Sequence, residues 1–370
     1  MIFLRSFVCY FGIALFLSSI SIQAQEFFKA KKQYHWLSTD LHIHTVFSDG
    51  DVWPSIRVEE ARREGLDLIA ITEHLEYQPH SEDIPHPDRN RSFIIANDMV
   101  QPNERLQVIN GSEITRKMPP GHINAVFIKD GNALLYSDSL SGIEAANKQG
   151  GFVFWNHPNY DKHRPDGIAR LEPFHKYLIK NKLLHGIEVV NGLTYSEEAL
   201  KIALDNNLTI LGTSDIHSLT DWKHSVSSGG HRPMTFVLTD DKTPVALKKA
   251  LFEGKTVVWF DNLLIGKKDN IEDLVRNNLS FDIPIYPKGK TILNVELTNH
   301  SASPFHLEYT GEYTFHQRSS IFIVPAKSSM VLMIKTEKIR NKLSLPFKVL
   351  NTVIAPKKHL NLSFILKQQK

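Results

Sequence analysis

Short apolar runs alternate with amphipathic segments along the first two thirds of the chain. Six apolar runs occupy residues 66–71, 106–109, 123–128, 152–155, 186–190 and 208–211. The intervening segments 55–64, 141–148 and 196–206 have helical periodicity, and Ser196 before two glutamates predicts the N-cap of the last one. This alternation predicts repeated strand–helix units and a mainly parallel sheet, either barrel-like or doubly wound.

The pattern changes near residue 279. Helix-like segments at 244–253 and 269–278 flank an apolar run at 256–260. The later segments 291–297, 319–324, 329–334 and 360–365 are short, rich in β-branched residues, and separated by Pro, Gly, Asn and Ser. We therefore predict an α/β domain over residues 26–279 and a β-sandwich-like, all-β module over residues 280–370.

The first 25 residues have the features of a signal peptide. Arg5 is their only charge, an apolar run covers residues 7–20, and Ala24 provides a small residue near a cleavage point. The run is shorter than the ~20 residues that span a bilayer, which disfavours an uncleaved anchor. We expect an exported protein, periplasmic or secreted. Cys9 is the only cysteine, so a processed chain would have neither disulfides nor zinc–thiolate sites.

Charge is distributed unevenly along the chain. The formal net charge is only +3, which does not indicate a protein that coats polyanions. Residues 26–279 contain 29 Lys and Arg against 35 Asp and Glu, a net charge of −6, whereas residues 280–370 contain 13 against 5, a net charge of +8. The basic module predicts either lysines that protect exposed strand edges or a weak contact with an anionic envelope.

The strongest chemical signal is the segment from Asp40 to Gly50, which contains His42 and His44. Alternate residues of a strand point to the same face, so on a strand these two imidazoles would project together and could bind one metal ion. The same spacing also occurs in ordinary surface turns, so the pair needs support from elsewhere in the chain.

Five further segments supply that support, because each follows an apolar run and presents a histidine or carboxylate where a strand should end. They are residues 71–74, 111–113, 121–122, 156–158 and 213–217. Ligands gather at the carboxyl ends of strands in barrels and open α/β sheets. The sequence therefore predicts one shared metal site.

This set of motifs, in this order, resembles the PHP superfamily, named for its polymerase and histidinol phosphatase members, over about residues 38–265. The resemblance implies a distorted seven-stranded, TIM-like β/α barrel with three metal ions. It assigns His42, His44, Glu113 and Asp215 to the first ion, Glu113, His122 and His157 to the second, and Asp49, His74 and His217 to the third. Several members have histidine at the position of Asp49.

We expect two or three divalent ions, of Mn, Zn or Fe, since histidine and carboxylate ligands are compatible with each. Three such ions against three carboxylates leave positive charge for a hydroxide and an anionic phosphate. The expected reaction is attack on phosphorus by a hydroxide that bridges two ions. Asp40, beside the paired histidines, is expected either to accept a hydrogen bond from one of them or to face solvent.

Several basic residues are candidates for substrate contacts. Arg232 is predicted to bind phosphate through its planar guanidinium, and Arg116 and Lys117 are alternative phosphate ligands. His231 is a candidate acid for the leaving group. The alternative for each of these residues is a charged loop side chain that contacts solvent alone. Six histidines without strand-end context are interpreted as surface or packing residues: His80, His86, His163, His175, His185 and His224.

In its predicted export, its aspartate at position 49 and its appended β module, the chain resembles the secreted phosphodiesterase branch of the superfamily. That branch includes enzymes acting on haloalkyl phosphate diesters. We therefore expect hydrolysis of a small phosphodiester. The alternatives are a phosphomonoesterase or nucleotide-releasing nuclease, although the acidic barrel argues against nucleic acid. A non-catalytic, envelope-binding protein is the alternative from another class.

Overall fold

The structure is a computed structural model that describes residues 26–368. The predicted signal peptide, residues 1–25, lies outside the described residues, so its role stays a prediction. Among residues 26–368, no helix combines the length and the apolar character needed to cross a membrane.

The first part of the chain alternates strands and helices around one curled sheet. Its strands are β1 (His35–Asp40), β2 (Leu68–Ile71), β3 (Gln107–Ile114), β4 (Ile123–Val126), β5 (Phe152–Trp155), β6 (Gly186–Asn191), β7 (Thr194–Tyr195), β8 (Thr209–Thr213), β9 (Met234–Thr239), β10 (Thr256–Phe260) and β11 (Leu263–Gly266). Its helices are α1 (Pro54–Glu64), α2 (Arg91–Asn97), α3 (Ser139–Lys148), α4 (Pro173–Lys180), α5 (Glu197–Asp205), α6 (Thr220–His224), α7 (Pro244–Phe252) and α8 (Lys268–Asn278). All six predicted apolar runs contribute to strands.

Strand pairing explains the curl of the sheet. Strands β1, β2 and β3 are parallel neighbours, as are β5, β6 and β8, and β4 connects the two groups in antiparallel pairing. On the other side of β1, strands β9, β10 and β11 follow in antiparallel order. Threonines join β8 to this second side: Thr235 Oγ1 donates to Gly212 O at 2.7 Å, and Thr256 Oγ1 donates to Ile210 O at 2.8 Å. These contacts bring the two sides of the barrel together.

Burial on both faces accounts for the continuous apolar strands. Inside the barrel, Leu37, Leu68 and Phe152 belong to one buried cluster with Leu247 and Leu251 of α7, so this helix closes one end of the barrel. The outer face of the sheet packs against the other helices. Ser196 caps α5, as predicted, by accepting a hydrogen bond from Ala199 N at 3.1 Å.

Helix α8 ends at Asn278, and short strands follow. They are β12 (Leu279–Phe281), β13 (Ile292–Asn299), β14 (Phe305–Tyr309), β15 (Thr314–Phe315), β16 (Ile321–Val324), β17 (Ser328–Lys335), β18 (Lys342–Val349), β19 (Thr352–Val353) and β20 (Leu360–Lys367). Two four-stranded sheets form, in the orders β12-β13-β17-β15 and β16-β14-β18-β20. Alternate residues such as Leu293, Val295 and Leu297 are buried, the pattern of a sheet with one face in the core.

The all-β module is attached firmly to the barrel. Strand β19 pairs in parallel with β11, and Asn351 Nδ2 donates to Asn262 O at 2.8 Å. Phe27 O accepts a hydrogen bond from Ala302 N at 2.7 Å, while its ring packs on Trp259. The predicted fold class, a distorted β/α barrel followed by an all-β module, is confirmed.

Candidate metal centre

The ends of the barrel strands bring the predicted ligands together at one end of the barrel. The prediction that His42 and His44 lie on a strand is wrong, because β1 ends at Asp40. The backbone nevertheless stays extended there, since Ile43 forms a single bridge to Ile216 and His44 N donates to Ile216 O at 3.1 Å. The two imidazoles therefore still converge.

The first group of ligand atoms surrounds the space between these imidazoles. The Nε2 atoms of His42 and His44 are 3.0 Å apart, and Asp215 Oδ1 lies 3.3 Å and 3.1 Å from them, respectively. Glu113 reaches both rings at 3.5 Å, through Oε1 to His42 and Oε2 to His44. Two imidazole nitrogens and two carboxylates thus face one small volume.

Glu113 also faces a second group. Its Oε1 lies 3.0 Å from His122 Nδ1 and 3.3 Å from His157 Nε2. Asn156 Nδ2 donates to the same oxygen at 2.7 Å, which fixes the carboxylate in place. Because Glu113 contacts both groups, it stands where a ligand shared by two metal ions would stand.

The third group lies beside the first, around Asp49. The Oδ1 atom of Asp49 is 3.1 Å from His217 Nε2, and its Oδ2 is 3.4 Å from His74 Nε2. The ring of His217 stacks on that of His44 with centroids 4.3 Å apart. All nine predicted ligands therefore lie in one continuous cluster. The sets whose ligand atoms converge most closely differ from the groups that the resemblance implies, because His44 joins the Asp49 set and His74 also converges with Glu113 and His122.

Hydrogen bonds behind the ligands set the tautomers of His42 and His44. Glu188 Oε1 lies 2.8 Å from His42 Nδ1, so that nitrogen donates and Nε2 keeps its lone pair. His44 Nδ1 contacts Ser48 Oγ at 3.2 Å, and this hydroxyl in turn donates to buried Glu73. Both Nε2 lone pairs therefore face the first group.

His74 and His217 are oriented in the same way. Thr115 Oγ1 donates to the Glu113 carbonyl, so it accepts from His74 Nδ1 at 2.7 Å. His217 Nδ1 donates to the Asp215 carbonyl at 2.9 Å. The Nε2 atoms of both rings are left to face Asp49. Such outer hydrogen bonds are the usual means by which proteins orient imidazole ligands.

A buried arginine holds two ligand segments against each other. Arg57 is fully buried, and its Nε donates to His44 O at 2.8 Å. Its other donors reach the carbonyls of residues 216–218 at 2.6–3.2 Å and Glu60 Oε2 at 2.7 Å. All five N–H groups of Arg57 are thus used to join the segment after β1 to the segment after β8.

Without a bound cation, the carboxylates of the cluster hold several imidazoles in their protonated form, and a metal ion would replace those protons. Burial lowers the pKa values of His42 and His74, but Asp215 and Glu113 respectively outweigh it, so the pKa of His42 lies well above its ordinary value and that of His74 rises to about 11. Burial raises the pKa of Glu113, but the neighbouring imidazoles, first that of His74, outweigh it and hold this pKa well below its ordinary value. Burial is likewise outweighed at Asp215, chiefly by His42, so its pKa is also well below the ordinary value. Burial, with the charge of His217, lowers the pKa of His44 to about 3. The carboxylates are ionised and His44 is neutral.

Two further observations show that these residues fit divalent cations. Glu113 Oε2 lies 2.7 Å from His74 Nδ1, and Asp49 Oδ1 lies 3.1 Å from His217 Nε2, so these carboxylates are paired with imidazoles whose protons a bound cation can replace. The Nε2 atoms of His42 and His44 are 3.0 Å apart, a distance that requires a proton or a cation between them. Nitrogen and carboxylate ligands without thiolate suit Mn, Zn or Fe.

The structure contradicts both roles predicted for the segment at residue 231. Arg232 is completely buried, and its guanidinium binds Glu64 at 2.7 Å and 2.8 Å and Asp40 at 3.0 Å. Its donors are therefore consumed inside the protein and are not available to a phosphate. His231 stacks on Trp259 at 3.8 Å, and its ring nitrogens contact the carbonyls of Arg232 and Asp261. It is not placed to protonate a leaving group at the cluster.

The other predicted substrate residues lie at the rim. Arg116 binds Glu76 Oε1 at 2.8 Å and the Tyr136 carbonyl at 2.6 Å, and Lys117 is exposed. Their roles in phosphate binding stay predictions. Asp40 does not accept from a histidine ring, because its oxygens are occupied by Arg232 and by the backbone and hydroxyl of Ser214.

Sequence reasoning missed Glu188, which does what Asp40 was expected to do. Beyond His42, Glu188 accepts from Thr213 Oγ1 at 2.6 Å and from His157 N at 2.7 Å. Its signal was visible as a lone carboxylate inside the apolar run at 186–190. His163, predicted to be a surface or packing residue, lies beside the cluster, with its ring 5.0 Å from that of His122. His175, by contrast, packs on Trp155 as expected for a structural histidine.

Imidazoles and carboxylates that converge at the strand ends of a β/α barrel define a metal-dependent hydrolase. One crystal structure resembles the chain over nearly its whole length: a two-domain protein containing a predicted PHP-like metal-dependent phosphoesterase from Bacteroides vulgatus. It is 34% identical, has a TM-score of 0.85, and the match covers 92% of this chain and 98% of that one. The chain therefore belongs to the family of PHP-like metal-dependent phosphoesterases, hydrolases that act on phosphoric ester bonds.

Other comparisons are more distant. A lesion-specific endonuclease from Pyrococcus furiosus is 18% identical with a TM-score of 0.41, over 63% of this chain and 59% of that one. PsfC from Pseudomonas syringae is 15% identical with a TM-score of 0.42, over 65% and 96%. A family model described as an Ig-like domain matches residues 279–365. No curated protein matches the sequence.

Proposed function

We propose that the protein is an exported phosphodiesterase that hydrolyses small phosphate diesters with two or three divalent ions of Mn, Zn or Fe. Three converging sets of ligand atoms support this number of ions, with His44, His74 and Glu113 each common to two of the sets. When bound, such ions supply an activated water and stabilise charge on the phosphoryl oxygens. The chain itself contributes the fixed lone pairs of its oriented histidines.

The observation that favours a diester is the pairing of the predicted phosphate-binding arginines. Arg232 is neutralised by Glu64 and Asp40, and Arg116 is bound to Glu76. A phosphate monoester is dianionic near neutral pH and needs more positive charge around it than a monoanionic diester does. Because Arg232 is buried away from the phosphate and Arg116 is bound to Glu76, neither predicted arginine is free to neutralise a second phosphate charge, which suits the monoanion.

The test compares bis-p-nitrophenyl phosphate with p-nitrophenyl phosphate under metal-loaded conditions. We expect kcat/KM to be at least about tenfold higher for the diester, and Glu113→Gln to abolish both activities because Glu113 contacts two ligand groups. Glu144→Gln, at an exposed position of α3, is the matched control. A preference for the monoester would refute the diester proposal and favour a phosphatase of the same family.

Export has its own test. N-terminal sequencing of the protein recovered from cell fractions of its source should begin near residue 25 in an extracytoplasmic fraction. A chain that retains residues 1–25 and stays in the cytoplasm would contradict export.

A further inference from the structure

Two long loops border the ligand cluster, and neither is used by the chemistry described above. One follows β2 and carries Tyr77, whose side chain is 52% exposed and whose ring lies edge-on to His74 with centroids 5.8 Å apart. The other follows β5 and carries Tyr160, whose partly exposed ring lies edge-on to His157 at 5.1 Å. Each tyrosine thus contacts the ring of a predicted metal ligand from the solvent side.

These two tyrosines stand at opposite ends of one row of rings. His74, His122 and His157 form the row, with successive centroids 5.3 Å and 4.9 Å apart. Tyr77 contacts the first ring of the row and Tyr160 contacts the last. A phosphate held at the cluster would therefore lie between two aromatic side chains.

The loop after β5 also carries a lysine. Lys162 is exposed, and its Nζ lies 5.7 Å from the centroid of Tyr160. The hydroxyl of Tyr160 raises the pKa of Lys162, and Tyr77 acts in the same direction, so the ammonium lies within electrostatic reach of both tyrosines. It places one positive charge beside the face of Tyr160 at the mouth of the site.

Such surroundings have a defined chemical preference. Exposed aromatic rings beside a cation bind flat, π-rich groups, and stacking of one aromatic ring contributes about 1–3 kcal/mol, which is about 5-fold to 150-fold in affinity. The net charge of −6 over residues 26–279 opposes a long polyanion. The geometry therefore favours a small ester with a planar group over a nucleic-acid strand.

We propose that Tyr77, Tyr160 and Lys162 form a subsite for a planar aromatic or heteroaromatic group esterified to the phosphate. This inference rests on the proposed phosphodiesterase function and specifies its substrate: a small diester with at least one flat arm. The exposed Tyr177 gives the contrast, because it lies on α4 and pairs with Phe174 rather than with a ligand histidine.

The experiment uses three diesters with the same p-nitrophenolate leaving group and different second arms: phenyl, cyclohexyl and ethyl. Phenyl and cyclohexyl are similar in size, but only phenyl is flat. For the metal-loaded wild-type chain we expect kcat/KM for the phenyl ester to exceed that for the cyclohexyl ester by about tenfold, within the range of one stacked ring. The double variant Tyr77→Leu/Tyr160→Leu should reduce this ratio to about 1, while Tyr77→Phe should keep it and Tyr177→Leu should leave it unchanged.

Binding is measured separately from turnover, so that failure of this inference and failure of the phosphodiesterase proposal are distinguishable. Calorimetry with benzyl(methyl)phosphinate and (cyclohexylmethyl)methylphosphinate, monoanions whose P–C bonds cannot be hydrolysed, should show tighter binding of the phenyl compound by the wild-type chain only. A phenyl preference in binding without hydrolysis of any diester would support the subsite and refute the diesterase. Hydrolysis of all three diesters with a ratio that the double variant does not change would overturn the subsite and leave the diesterase intact.

Discussion

Replacing Glu188 by glutamine tests the hydrogen bonds that orient the cluster. Four donors converge on this carboxylate: Oε1 accepts from His42 Nδ1 and Thr213 Oγ1, and Oε2 accepts from His157 N and Asn191 Nδ2. The amide of Glu188→Gln has nearly the same shape but one acceptor fewer. Whichever way it is placed, its NH₂ group faces two donors.

The expected magnitude follows from that mismatch. With the NH₂ group toward His42, the imidazole must turn to the other tautomer, and its Nε2 lone pair is lost to the metal site. Loss of such an orienting group typically costs 10-fold to 100-fold in metal affinity, about 1.4–2.8 kcal/mol. One buried donor left unpaired also costs about 1–3 kcal/mol of stability in the metal-free chain.

Two assays separate these effects. Competition with a chelator should show metal affinity reduced 10-fold or more in Glu188→Gln, and urea unfolding of the metal-free protein should show the loss of stability. Glu144→Gln serves as the exposed control and should change neither. If Glu188→Gln binds metal as tightly as the wild-type chain and is equally stable without metal, neither placement of the amide carries its expected cost, and the argument that Glu188 fixes the His42 tautomer is refuted.

Three further predictions concern the scaffold. Arg57→Met leaves Glu60 and four backbone carbonyls without their donor. It should therefore lower the free energy of unfolding by about 3–5 kcal/mol in urea titrations. A loss below about 1 kcal/mol would contradict the role of Arg57 in joining the two ligand segments. Gly212→Ala places a methyl group 2.2 Å from Val258 Cγ1, where β8 meets β10, and should cost about 1–3 kcal/mol that Val258→Ala partly restores; no loss would show that the strands separate readily. Burial lowers the pKa of His175 from 6.5 to about 4, so between these values the unfolded chain binds a proton that the folded chain does not. Stability should therefore fall as pH decreases from about 6.5 to about 4, by up to about 3 kcal/mol, and His175→Gln should flatten this pH dependence in unfolding measurements; an unchanged slope would show that the histidine is not buried in its neutral form.

The parts of the fold predicted from sequence are those in which local pattern and burial agree. Strands β2 and β5 are apolar throughout because both of their faces are covered, whereas β6 includes the buried Glu188. The strands of the all-β module alternate because one face is exposed. Strand β9 was not predicted, although it is fully buried. Thr235 and Thr239 weaken its apolar signal. The hydroxyl of Thr239 donates to the nearby Asp241 O, but that of Thr235 donates to Gly212 O, 23 residues away in the chain, so only the assembled structure accounts for the burial of Thr235.

The candidate site likewise contains residues that the sequence could predict and residues that it could not. The ligands could be found because strand ends meet at one edge of a barrel whatever the details of packing. Arg232 was misjudged because its direction depends on Glu64, which is 168 residues away in the chain. A loop arginine looks the same in sequence whether it faces a phosphate or a buried carboxylate. The roles of Glu188 and Arg57 likewise depend on which segments lie behind the ligands.

The most direct test of the central claim is the number of metal ions bound by the purified chain, measured by elemental analysis beside diester hydrolysis for the wild type and Glu113→Gln. We predict two or three divalent ions per wild-type chain, at most one in the variant, and hydrolysis reduced at least about 100-fold, because Glu113 joins two ligand groups. A wild-type chain that hydrolyses the diester without metal, or a Glu113→Gln chain that retains every ion and full activity, would contradict the account.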